Sequence, residues 1–422
     1  MIDGNGQRVL VPPNLELRNL FEFESGTTTA GIYDLKINSN GSVRSQIINV
    51  REGSKNIYIY ENLFVDTPVN EREDEVLYED RDVATANRSG VTAINLQSSV
   101  NGVFIDSNVF SFVPNGIRAT GEDMNRVRIY HNLFAHWRIR AIFFRGKEVA
   151  GHEVRPNKNI TIANNRILPP KYGNTRQPIT FQSGNLASDH TFDDHQHPAN
   201  EVPRIALHAH SFPATFMNVR IEGNYISGDD VPHRREPTTD RAGNRVPPDE
   251  DGDIITDTLR TNGTSDMISI HNVSEFSINN NCLINSGELG IAVSNGSEMG
   301  VVRRNHIENA DTSGIGLGAS PHNIKGTSNI DVSYNHIINP GRNRNNESSR
   351  WPFAGIVIIK AEDTEHGGNS ISENTETHTV SLGISITNFV PDEEVSQIAP
   401  NIFDLDAVVG EPIGTASDAP GP

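Results

Sequence analysis

The stretch "IYHNLF", residues 129–134, holds an aliphatic residue, two variable residues, Asn, one variable residue and an apolar one. The same order returns as "IYENLF" (59–64), "IDSNVF" (105–110), "IANNRI" (162–167) and "IEGNYI" (221–226). It continues as "INNNCL" (278–283), "VRRNHI" (302–307) and "VSYNHI" (332–337), and a ninth copy, "ISENTE" (371–376), lacks the final apolar residue. The residue after Asn ranges from Leu to Arg, Cys, His and Thr, so packing does not dictate it. The next residue is Phe, Ile or Leu in eight of the nine copies, which marks a core position. The Asn-to-Asn spacings are 46, 24, 33, 59, 57, 24, 30 and 39 residues. The shortest sets the basic coil, 46 reads as two coils with one pattern eroded, and the others read as coils carrying insertions.

Between the Asn copies lies a second strand signal, in "GVTAINL", "RAIFF", "PITFQ", "RIALHAH", "MISIHN", "GIAVS" and "GIVIIK". Each unit therefore has at least two short strands with period-two alternation, separated by Gly/Asn turns. No segment has a helical period. Self-similarity at this length with short strands implies a solenoid, in which stacked coils bury one continuous core. Asn suits its corners because it tolerates the left-handed conformation and bonds backbone locally. A β-propeller would need four-stranded units of ~40–45 residues with aromatic blade motifs, and these are missing. The segment 204–212, "RIALHAHSF", reads as one rung with both histidines outward.

The recurrent "I-x-x-N-x-I" and "G-I-x-I" coils, with "IDGNGQRV" near the start, resemble the right-handed parallel β-helices of the pectate-lyase-like superfamily. The resemblance implies an all-β, single-stranded right-handed parallel β-helix over residues 1–390, with 391–422 as a covering segment or tail. It implies a carbohydrate-active protein without choosing among lyases, hydrolases, uronan epimerases, tailspikes and non-catalytic surface proteins. The "NTD…DD…GHG…RIK" set of the polygalacturonases is missing, as are the motifs of the pectate, alginate and chondroitin lyases.

Composition narrows the partners. Apolar residues make up 35%, with 35 Gly and 23 Pro, which suits a narrow core wrapped in turns. A net charge of −19 argues against nucleic acid and anionic membrane. Seven Lys against 28 Arg in an Asp-rich chain resembles a protein from a high-salt environment. The single cysteine, Cys282, excludes internal disulfides and reads as a small apolar residue. No run reaches the ~18 apolar residues of a membrane span. A secreted or cell-surface location is expected, although no export signal is evident in the chain.

Three insertions break the rhythm, at 66–89, 183–203 and 227–264, and solenoid insertions gather on the binding side. The second holds Asp189, His190, Asp193, Asp194, His195 and His197. The third contains Asp249, Asp251 and Asp253 around a Gly turn, a set that Ca²⁺ would take. With aliphatic residues pointing inward, the second strand class points out Gln97, Arg118, Arg145, Gln182, His208, His210, His271 and, near a strand end, Lys360. That column is rich in cations and imidazoles and lacks carboxylates, as an anionic polysaccharide requires. Tyr130 and Trp137 are further candidates, Trp137 for stacking on a sugar.

The leading expectation is a lyase acting on a uronate-containing glycan, with His208, His210, Arg145 and His271 catalytic and Arg118, Gln182, Lys360, Tyr130 and Trp137 binding substrate. A glycoside hydrolase or transglycosidase using insertion carboxylates, a uronan epimerase and a non-catalytic glycan binder stay open.

Overall fold

The structure is a computed structural model. It describes residues 2–12, 15–66, 91–137, 139–146, 155–170, 178–182, 214–228, 266–294, 296–318, 327–341, 354–359, 370–372, 374–377, 382–387, 397–398, 402–403 and 413–415. These residues form three parallel sheets of twelve strands each, with no helix among them. One coil shows the plan. β13 (Asn125–Tyr130) belongs to sheet 1, β14 (Leu133–Ala135) to sheet 2 and β15 (Arg140–Gly146) to sheet 3. β13 pairs in register with β10 (Asn101–Asp106) one coil before and with β16 (Asn157–Ala163) one coil after. Every third strand repeats this pairing, so the molecule is a right-handed parallel β-helix.

The recurrent asparagine is the feature that fixes the coil. All nine, from Asn62 to Asn374, are at most 1% exposed. From Asn108 to Asn374 each Oδ1 accepts both the backbone N–H and the Nδ2 of the asparagine one coil earlier; Asn108 N and Nδ2 reach Asn132 Oδ1 at 2.9 and 3.1 Å. Each Nδ2 also donates to the carbonyl of the aliphatic residue that opens the preceding copy, as Asn132 does to Ile105 at 3.0 Å. This accounts for the motif, since both Asn and its leading aliphatic are partners in one ladder. A buried amide satisfied on every side also escapes the cost of an unpaired polar group.

The corner works differently from the expectation. The left-handed residue is the one before Asn: Glu61, Ser107, His131, Asn164, Gly223, Asn280, Arg304 and Tyr334 have φ between 50° and 65°. Asn is used for its amide, not for tolerance of positive φ. In the second coil Leu35 takes the ladder position after Asp34 at φ 52°, and its N–H caps Asn62 Oδ1 at 3.1 Å. The copy "IYDLKI" (32–37) is thus an eroded repeat.

The core repeats the same logic in side chains. Phe64, Phe110 and Phe134 occupy the last motif position and stack with centroids 5.0 and 4.6 Å apart. Phe144 stacks on Phe181 at 4.8 Å, and Phe216 meets Phe181 edge-on at 5.2 Å. Phe276 fills the core beside Gly300, where an added Cβ would overlap its ring.

Three further expectations are corrected. The 46-residue spacing is one coil, because β10 pairs directly with β7 (Lys55–Tyr60) and the surplus is the first insertion. Residues 391–422 are not wholly a covering segment, for β34 (Gln397–Ile398), β35 (Ile402–Phe403) and β36 (Ile413–Thr415) add a twelfth coil. The sequence "IAPNIF" (398–403) that spans two of these strands is a tenth copy of the motif. Third, β18 (Ile179–Gln182) pairs directly with β21 (Ile268–His271), leaving no rung for 204–212 between them. His208 and His210 lie outside the described residues, within the connection from β18 to β19 (Phe216–Glu222).

Candidate functional site

The turns decide which face can hold a site. From the third coil to the tenth, the step from sheet 1 to sheet 2 takes two residues every time, the left-handed one and the ladder Asn. The long connections all enter or leave sheet 3: 67–90 and 229–265 lead into it, and 183–213 leads out. The outer face of sheet 3 therefore lies between two rows of insertions, as binding faces of solenoids do.

Register sets two outward columns on this face. One passes through Thr120, Arg145 and Gln182, each opposite the next on adjacent strands β12 (Asn115–Gly121), β15 and β18. Phe181 opposes Ile270, so Gln182 is followed by His271, and His271 opposes Ser294 on β24 (Ile291–Ser294). The second column passes through Asn95, Arg118, Phe143, Thr180 and Ser269. Arg118, Arg145, Gln182 and His271 are thus brought onto consecutive rungs, about 4.8 Å apart.

Their electrostatics differ. Arg118 is half-buried, and its Nε donates to Thr120 Oγ1 at 3.2 Å. Burial, and then the charge of Arg145, lower the pKa of its guanidinium. His271 Nε2 lies 3.0 Å from Ser269 Oγ and its Nδ1 lies 2.7 Å from Ser294 Oγ, and both serines are fully buried. Burial pushes the imidazole down to about 4, so it is neutral at pH 7. One nitrogen then accepts from a serine and the other donates. Arg140 lies over the Phe143 ring at 3.9 Å, beside the Arg118 rung.

Nearer the N-terminus the same face changes character. Glu22, Asn49 and Asn95 follow in register, and Asn95 Nδ2 bonds Asn49 Oδ1 at 2.9 Å. Burial raises the Glu22 pKa, but bonds from Asn19 and Asn49 and the charge of Arg51 outweigh it and hold the carboxyl low. Toward the C-terminus the column turns apolar, with Ala292, Gly316 and Val357. The cationic and imidazole-bearing rungs are the middle ones.

Two expected contributors are elsewhere. Trp137 is fully buried, and its Nε1 donates to the Leu168 carbonyl at 2.7 Å, so its ring cannot stack on a sugar. Tyr130 ends β13 on sheet 1, beside the His131–Asp106 pair, and does not face the sheet 3 columns. Lys360 and the aspartates Asp249, Asp251 and Asp253 lie outside the described residues. Among the described residues no three His, Cys, Asp or Glu side chains are set to hold a metal, and no helix is long and apolar enough to cross a membrane. Thr120, Thr180, Ser269 and Ser294 escaped the sequence reading. Aligning "MISIHN" on "GIAVSN" by their aliphatic residues would have set Ser294 opposite His271.

No family model and no curated protein matches the sequence. Solved structures do. The crystal structure of the Dettilon tailspike protein gp208 is 11% identical with a TM-score of 0.50, and covers 97% of this chain and 61% of that one. This chain therefore spans less than two thirds of that tailspike. A DFA-IIIase from Arthrobacter chlorophenolicus A6, solved with GF2, is 12% identical at a TM-score of 0.39, covering 95% of this chain and 86% of its own. A PL6 alginate lyase solved with a trisaccharide is 13% identical at 0.40, covering 98% and 84%. At such identities the likeness speaks for the fold alone: the chain has a right-handed parallel β-helix fold.

Proposed function

We propose that this chain is a polysaccharide lyase that cleaves a uronate-containing glycan by β-elimination on the outer face of sheet 3. The carrying observation is the Arg118–Arg145 pair: two guanidiniums on adjacent rungs, one of them desolvated, in a protein of net charge −19. A substrate carboxylate would relieve both the desolvation and the mutual repulsion. Elimination needs that neutralisation first, because it acidifies the C5 proton. The C5–H proton then passes to a base, its electrons form the C4–C5 double bond, and the C4–O bond breaks. The leaving oxygen takes a proton and becomes a new hydroxyl.

In this reading the base is His208 or His210, from the connection that leaves sheet 3 directly after Gln182. His271, neutral and engaged at both nitrogens, would orient substrate rather than shuttle protons. Lys360, next after β30 (Ala354–Ile359), would add a cation, and Ca²⁺ held by Asp249, Asp251 and Asp253 would be an auxiliary charge. None of the outward strand positions from Arg118 to His271 is a carboxylate, which disfavours a hydrolase built from strand residues. A glycan substrate fits a secreted or cell-surface protein.

The test is incubation with alginate, pectate, glycosaminoglycans and neutral glucans, following ultraviolet absorbance beside reducing ends. Absorbance from an unsaturated uronate is the expected result. Reducing ends without it would refute elimination in favour of hydrolysis, and C5 inversion without chain cleavage would identify an epimerase.

A further inference from the structure

A second face carries charge that the sheet 3 site does not use. On sheet 1, coils five to seven present Arg126, Arg128, Lys158 and Arg220, with Arg155 at the corner before β16, and all five are exposed. Register sets Arg128, Thr161 and Arg220 in one column and Asn125, Lys158 and Met217 in another. Arg128 and Arg220 are therefore two rungs, or about 10 Å, apart.

Among the described residues none of the five pairs with a carboxylate, although acids outnumber bases by 54 to 35 in the chain. Elsewhere Arg44, Arg51 and Arg303 are bridged to Glu16, Glu22 and Asp331. The patch cations are held instead by neutral groups: Arg126 Nε donates to Asn101 Oδ1 at 2.9 Å, and Arg128 lies over Phe104 at 5.3 Å. Along sheet 1 from coil four to coil seven the described acids stand at the margins, with Glu122 and Asp123 in the corner before β13 and Asp106 and Glu222 ending β10 and β19, Asp106 already engaged by His131.

Beside the cations runs an outer amide column, in which Asn159 Nδ2 bonds Asn125 Oδ1 at 2.8 Å and Asn218 Nδ2 bonds Asn159 Oδ1 at 2.6 Å. Amides and guanidiniums repeating along one axis match a polymer that alternates hydroxyls with anionic groups. The patch also adjoins the first site, since the corner 121–125 links the sheet 3 strand of Arg118 to the sheet 1 strand of Arg128.

We infer that this face of sheet 1 is a second, non-catalytic binding surface for an acidic polysaccharide, gripping the polymer beside the sheet 3 site. It deepens the reading of an anionic glycan substrate and rests on that reading. An extended duplex or an anionic membrane would bring further negative charge against an overall charge of −19, whereas a single flexible strand can follow the patch alone.

The experiment is affinity electrophoresis of the full chain through gels containing pectate, alginate or a neutral glucan, at rising salt. Retardation by acidic polymer only, weakening with salt, is expected. The triple variant Arg128→Ala, Lys158→Ala, Arg220→Ala should bind about tenfold more weakly, from three exposed charge contacts of modest strength each. The control Arg8→Ala, Arg18→Ala, Arg304→Ala removes the same charge from exposed positions off the patch and should bind as the parent does. Equal retardation of the two triple variants overturns the inference, as does retention by duplex DNA or anionic vesicles with none by polysaccharide. Retention is read without turnover. A chain that grips the acidic polymer through the patch and never cleaves it refutes the elimination reading and leaves this surface standing.

Discussion

Replacing Asn165 by Ala cuts the asparagine ladder at its middle, and its cost can be worked bond by bond. The Asn165 Nδ2 donates to the carbonyls of Ile129 and Ala163 and to Asn224 Oδ1, at 2.9, 3.1 and 3.0 Å. Its Oδ1 accepts from Asn132 N and Nδ2, both at 3.0 Å. After truncation, Asn224 Oδ1 keeps the Asn165 N–H at 3.0 Å and Asn132 Nδ2 keeps Ile105 O at 3.0 Å, so both stay partly satisfied. The Asn132 N–H loses its acceptor and stays buried, which costs about 1–3 kcal/mol, and the Ile129 carbonyl loses a donor. With the small void added, the total is about 3–5 kcal/mol.

Urea unfolding followed by circular dichroism gives the global value, and amide exchange at Asn132 gives the local one. A loss below about 1 kcal/mol, with the Asn132 amide still protected, would refute the ladder as the device that fixes the corner. Asn165→Asp sharpens the test. A carboxylate there faces three oxygens it cannot donate to, so its folded pKa must rise above the unfolded value. The variant should then be least stable at neutral pH and recover as pH falls through that raised pKa.

Four other outcomes follow from the same coordinates. Gly300→Ala sets a Cβ against the Phe276 ring and should cost about 1–3 kcal/mol by overpacking, read as a lower urea midpoint. Trp137→Ala should cost about 3–5 kcal/mol through lost packing and the orphaned Leu168 carbonyl; if it instead weakens only glycan binding, the indole was a sugar platform after all. His271, with its pKa held near 4 against 6.5, favours the folded state above pH 6.5, and that stability is lost as pH falls toward 4. The limit is about 3 kcal/mol, and in a pH titration of thermal unfolding His271→Gln should flatten this slope. Arg118→Ala should lower kcat/KM on an acidic glycan by about 100-fold, and an unchanged value would remove the guanidinium pair from the proposed chemistry.

The fold was legible because a solenoid writes each structural need many times. Nine asparagines and their flanking aliphatics mark the same corner, so single erosions such as Leu35 do not hide it. The reason for Asn was legible in part: its local bonding to backbone holds, as from Asn108 Nδ2 to the Asp106 carbonyl, but its ladder was not visible. Left-handed tolerance and an amide ladder select the same residue, and only the φ values of His131 and its equivalents separate them. Site residues are written once each. Arg118, Arg145, Gln182 and His271 could be found because period-two alternation fixes the outward positions of a strand. Trp137 could not be placed, since it sits in a corner where alternation lapses, and its burial depends on the Leu168 carbonyl of the next coil. The rung assigned to 204–212 failed for a related reason. An alternating pattern says that a segment could be a strand, but pairing requires neighbours in register, and β18 and β21 already hold one another.

That pairing also bears on how the site divides its work. Gln182 and His271 are neighbours on adjacent rungs although 88 residues separate them in sequence, so everything between leaves the sheet and returns to it. The rungs supply fixed positions: the Arg118 guanidinium bonded to Thr120, the Arg140 guanidinium lying over the Phe143 ring, and an imidazole clamped by two buried serines. Such groups are suited to holding a substrate anion in one place. They are poorly suited to proton transfer at neutral pH, because an imidazole near 4 is a weak base and an arginine does not readily release its proton. In the proposed lyase a base matched to neutral pH would come from a connection flanking sheet 3, and the 183–213 connection carries the histidines at 190, 195, 197, 208 and 210. Grafting the 183–213 connection out, with a short turn from β18 to β19, should then abolish turnover while leaving the Asn165–Asn224 ladder bonds and the fold intact. Retained turnover would return the chemistry to the strands and to His271.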